Sequence, residues 1–159
     1  MISRRQAREE ALQILYASEI TGDSIGEVLK EPTAIHEDGA PFSLFTVKLT
    51  EDSVKTVEES DSLIESYAHN WSLNRIALID RLIFRLAITE FLYFPDIPPK
   101  VTIDEAVELA KKFSTERSGR FINGMLDSIL THLTDKRRIL KNNGITGTGT
   151  VKQKRAQKK

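Results

Sequence analysis

Residues 73–94 read LNRIALIDRLIFRLAITEFLYF. Ile76, Ile79, Leu82, Ile83, Leu86, Ala87 and Phe91 recur at three- and four-residue spacing, which gathers them on one face of a helix. Leu78, Ile88 and Leu92 widen that stripe beyond what a surface helix carries, so the segment is expected to be a central helix covered on more than one side. Pro95, Pro98 and Pro99 end it in an extended connection.

The pattern stays helical in both directions. Downstream, Thr102-x-x-Glu105 reads as a capping box opening a helix that buries Ala106, Val107, Leu109, Ala110 and Phe113. After the polar turn STERSG a last helix carries Phe121, Ile122, Met125, Leu126, Ile129, Leu130 and Leu133. Upstream, Ser3 and Gln6 start a helix with Ala7, Ala11 and Leu15 inward, Gly22-Asp23 breaks it, and Ser24-x-x-Glu27 begins another. Pro32 to Ala40 reads as a loop. Pro41 suits the first position of a long helix with Phe42, Phe45 and Leu49 on one stripe, broken near Ser60-Asp61-Ser62. No segment alternates like a strand and nothing repeats. The sequence therefore predicts an all-α fold of six or seven helices, followed beyond Leu140 by a mobile basic tail.

The chain has 159 residues, 40% of them hydrophobic and 29% charged, which suits one globular domain. It has no cysteine, which removes disulfides, zinc–thiolate sites and thiol catalysis and fits a reducing cytoplasm. No apolar run reaches the ~18 residues of a membrane span. The arginine-rich start resembles a transit peptide, but Glu9 and Glu10 argue against one.

Little points to catalysis. His36, His69 and His132 lie far apart without metal-ligand spacing, and Asp104, Glu105 and Glu108 near a helix start are explained by the helix dipole. Gly147-Thr148-Gly149 lacks the strand and helix of a phosphate loop. No enzymatic activity, cofactor or metal is expected.

Charge is segregated instead. The net charge is zero, yet residues 136–159 hold nine Lys or Arg and no acid, leaving 14 basic against 23 acidic side chains elsewhere. Arg4, Arg5 and Arg8 crowd the start of the first helix, where the macrodipole disfavours cations. One reading is a phosphate-binding patch, since arginine forks and helix N-termini both suit anions. The other is an ordinary solvated face with an Arg5–Glu9 ion pair. Arg117 and Arg120 form a second basic group beside Phe121, the combination that single-stranded RNA recognition uses, although Phe121 also suits the core.

Two blocks resemble the NusB family of bacterial transcription antitermination factors. SRRQAREEALQILY is similar to its N-terminal segment in Ala7, Arg8, Glu9, Gln13, Leu15 and Tyr16. PPKVTIDEAVELAKKFSTERSGRFINGMLD is similar to its C-terminal signature, from Val101 to Lys111 and from Phe121 to Asp127. The resemblance runs from about Ser3 to Leu133 and rests on helical pattern alone between Ser24 and Asn70.

It implies two packed helical subdomains, about 1–68 and 69–141, with 142–159 as the tail. It also implies binding of single-stranded boxA RNA together with NusE, a basic small-subunit ribosomal protein, in an antitermination complex on RNA polymerase. Carried over residue by residue, it assigns Arg4, Arg5, Arg8, Arg117 and Arg120 to RNA, and Tyr16 and Asp80 to NusE. Arg117 departs from the family, where that position is often acidic. Some members self-associate, so both a monomer and a homodimer are compatible with it. Two alternatives stand beside this reading. One is a docking module like those fused to ribosomal RNA methyltransferases, disfavoured because no such domain follows residue 159. The other is a helical adaptor that binds protein alone.

Overall fold

Ser3 starts the first helix as the sequence predicts. Its Oγ accepts the Gln6 N–H at 3.1 Å, while Gln6 Oε1 accepts the Ser3 N–H at 2.9 Å. The computed structural model describes residues 2–68 and 73–139. Among these are seven α-helices, two short 3-10 turns and no strand. The expected boundary near residue 69, His69, and the tail 142–159 with Gly147-Thr148-Gly149 lie outside the described residues.

Helix α1 spans Arg4–Thr21 and stops at Gly22, whose φ of 82° places it in the left-handed region that favours glycine. Helix α2, Ile25–Leu29, carries the predicted Ser24/Glu27 capping box. Several boundaries differ from expectation. Helix α3, Leu44–Lys55, begins after Ser43, whose side chain accepts the Thr46 N–H, so Pro41 stays outside it. Its continuation breaks at Thr56 rather than at Ser60–Ser62, and α4 runs Val57–Tyr67 with Ser60 buried inside it.

The central helix α5 covers Leu78–Tyr93, and residues 73–75 form a separate 3-10 turn. Helix α6 spans Pro99–Phe113, starting three residues before the expected capping box because Pro99 occupies its first position. Thr102 is thus interior to α6, and its hydroxyl donates to Glu90 at 2.8 Å. Helix α7, Glu116–Asp135, is capped by Thr115 through the Ser118 N–H, so most of the expected polar turn is helical.

Helix α5 is the spine, packing against α1, α3, α4, α6 and α7. Its Leu82, Ile83, Phe84, Ile88 and Phe91 are sealed from water, together with Leu12, Leu49, Ile64, Ile122 and Leu126 from the surrounding helices. Burial of each such side chain contributes about 1.5–3 kcal/mol. Phe121 is partly buried and meets Phe84 edge-on, with ring centroids 5.7 Å apart. It belongs to the core margin. Helices α6 and α7 pair along their length, which places the start of α7 beside α6 and close to the start of α1.

Candidate nucleic-acid interface

The three N-terminal arginines each reach a carboxylate far away in sequence. Arg4 Nη2 stands 3.3 Å from Asp96 Oδ2 with both groups exposed, and its guanidinium lies over the Phe45 ring, 4.8 Å from the centroid. Arg5 donates from Nε and Nη2 to the two oxygens of Glu105, at 2.9 and 2.8 Å. Arg8 makes the same fork onto Glu90, at 2.7 and 3.0 Å. The Arg5–Glu9 pair considered from sequence does not form, because Glu9 accepts from Lys112 instead, at 3.0 Å.

Arg8 departs from its expected role. Only 4% of the residue is exposed, and Glu90, Thr102 and Phe45 enclose its guanidinium. A charge that deep is retained because it is paired. It joins α1 to α5 and offers no face to RNA. Asp80 is 5% exposed on the first turn of α5, and its Oδ2 accepts the Ser118 hydroxyl at 2.8 Å. It ties the start of α5 to the start of α7.

Arg5 and Arg120 are brought together. With Lys111 and Asn123 they line an open groove of about 630 Å³ between the start of α1, α6 and the first turns of α7. Asp104, Glu108 and Glu116 line it too, which balances its formal charge. Two of these acids face lysines, Glu108 at 3.6 Å from Lys111 and Asp104 at 3.9 Å from Lys100. Arg120 is exposed and has no ion pair among the described residues. Arg117, one turn earlier, is exposed in the same way but does not line the groove. The Arg5 side chain is 57% exposed. Its Nη1 makes no hydrogen bond among the described residues, so the outer edge of the fork is open to an anion. Glu105 is mostly covered, and the hydrogen bonds from Arg5 hold its carboxyl below the usual value of 4.5.

Tyr16 is 40% exposed. Eleven residues are close to three full turns, so Tyr16 shares a face of α1 with Arg5, about 16 Å further along. Lys111, Asn123 and the clamping role of Glu105 escaped the sequence reading. The Arg5–Glu105 contact spans 100 residues, and no local pattern signals it. Among the described residues, no group of three or more His, Asp or Glu is placed to hold a metal ion, and no helix is long and apolar enough to cross a membrane.

Helices packed around a buried spine, with Arg5 and Arg120 meeting at one open groove, define an all-helical protein among the described residues. The chain belongs to the NusB family, whose pattern matches residues 5–131. A transcription antitermination protein NusB from Salinibacter ruber is 43% identical over 156 residues, covering 97% of this chain and 98% of the relative. The structure of T. maritima NusB superposes with a TM-score of 0.70 at 36% identity, covering 80% of this chain and 90% of that one. A crystal structure of the antitermination factors NusB and NusE in complex with double-stranded RNA gives 0.71 at 30% identity, covering 81% of this chain and 96% of that one.

Proposed function

We propose that this chain is a cytoplasmic transcription antitermination factor without catalytic activity of its own. It binds boxA-type RNA of ribosomal RNA transcripts together with NusE and joins the antitermination complex on RNA polymerase. The observation that carries this reading is the convergence of Arg5 and Arg120, from opposite ends of the chain, on one groove with open guanidinium edges. Arg4 and Arg117 extend the basic surface on either side. Arg8 supports the surface from beneath.

Tyr16 is the expected contact to NusE. Its place on the same face of α1 as Arg5 lets one partner protein lie beside bound RNA. The acidic remainder of the chain suits a basic partner electrostatically.

Single-stranded RNA releases counterions when its phosphates are neutralised, so log K falls with log salt by about 0.7 per phosphate. Replacing Arg5 and Arg120 together by Ala is expected to weaken binding of a labelled boxA RNA and to lower the salt slope by about 1.4. Fluorescence anisotropy across a salt series measures both. An unchanged affinity and slope, with an unchanged helical circular-dichroism signal, would remove the groove from the RNA surface.

A further inference from the structure

Glu105 looks at first like an obstacle. A carboxylate beside an arginine that is to bind phosphate adds repulsion and competes for the guanidinium. Its geometry gives it a different part. Glu105 takes the Nε–Nη2 side of Arg5 through both oxygens, and this pairing leaves the Nη1 end of the fork facing away from it. The Glu105 side chain is only 16% exposed, whereas that of Arg5 is 57% exposed. The carboxylate thus lies beneath the guanidinium and the open edge lies above it. Lys112, which lines the same small recess as Arg5 and Glu105, is occupied by Glu9 at 3.0 Å.

We propose that Glu105 is a positioning residue for RNA binding, holding Arg5 so that its free edge points into the groove shared with Arg120. This rests on the RNA reading of that groove. An unrestrained arginine samples many rotamers, and ordering it on binding costs affinity. The clamp from α6 carries that ordering in the free protein. The same contact fixes the start of α1 against α6, and so sets the distance between the two arginines that meet the backbone of one RNA strand.

Charge and positioning predict opposite signs, which makes the proposal testable. Glu105→Ala and Glu105→Gln each remove one negative charge from the site, so electrostatics alone predicts tighter RNA binding for both. Positioning predicts weaker binding, about threefold to tenfold for Glu105→Ala, the range expected for losing one ordered side chain. Glu105→Gln retains an acceptor oxygen for one of the two Arg5 hydrogen bonds and should recover most of that loss.

The measurement is anisotropy titration of the full chain with a fluorescein-labelled single-stranded boxA RNA, with Arg5→Ala and Arg5→Ala/Glu105→Ala alongside. In the Arg5→Ala background, removing Glu105 should no longer weaken binding. Tighter or unchanged binding by Glu105→Ala, where Arg5→Ala weakens it, or a Glu105→Gln loss as large as that of Glu105→Ala, would overturn the positioning role and leave the groove intact. No effect of Arg5→Ala would remove the RNA reading of Arg5, and the positioning role with it.

Discussion

Arg8 and Glu90 meet through two hydrogen bonds in a nearly water-free space, and the Thr102 hydroxyl adds a third to the same carboxylate. Removing the arginine takes two charge-assisted hydrogen bonds away from a buried carboxylate. Arg8→Ala is therefore expected to destabilise the protein by about 3–5 kcal/mol, the cost of breaking a buried ion pair by deleting one partner. Urea denaturation followed by circular dichroism measures it, and a loss under about 1 kcal/mol, the level of an exposed pair, would contradict the buried geometry. The sequence RRQARE gave no means of separating this arginine from its neighbours. Arg5 and Arg8 look alike locally, and what divides them are carboxylates 100 and 82 residues away. The contact between Asp80 and the Ser118 hydroxyl was equally hidden, since the two lie 38 residues apart.

The connection between α2 and α3 is held to α1 by His36. Its Nδ1 lies 2.6 Å from the Ala40 carbonyl oxygen and its Nε2 lies 2.5 Å from Glu10 Oε2. Both partners are acceptors, so the doubly protonated ring is the form that satisfies both contacts. The Ala40 carbonyl and then Glu10 hold the imidazole pKa above its usual 6.5, with Asp38 adding to the effect. The sign follows from linkage. A group whose pKa is raised by folding stabilises fully below the unfolded value of 6.5, and that contribution is lost as pH rises through the higher folded value. Thermal melting should thus show wild type above His36→Ala by a margin that shrinks as pH rises past 6.5; a margin that grows would contradict the protonated strap. At this level the sequence was most informative where periodicity is long. The stripes of α5, α6 and α7 were legible, and so were the Ser3 and Ser24 caps. Boundaries failed where two signals competed: Ser43 prevailed over Pro41, and Pro99 over Thr102.

Charge in the whole chain divides along the fold. Residues 19–67, which include α2, α3 and α4, carry twelve acidic and three basic side chains, while Arg4, Arg5, Arg117 and Arg120 sit at the start of α1 and on α7. Helix α5 packs against helices from both groups, and α1 and α7 also touch α3 and α4 directly. The division by segment could be counted from sequence, but the groove could not. It is built by the first helix and the last two, and only the likeness to NusB proteins suggested that these ends meet. Such a body can take a basic protein on one side and a nucleic acid on another, with the two partners adjoining along α1. The most direct test is the affinity of the full chain, with NusE present, for labelled boxA RNA and for a scrambled RNA of equal length at physiological salt. Tighter binding of boxA, weakened when NusE is omitted, is expected. Equal affinity for both RNAs would contradict a sequence-specific antitermination factor.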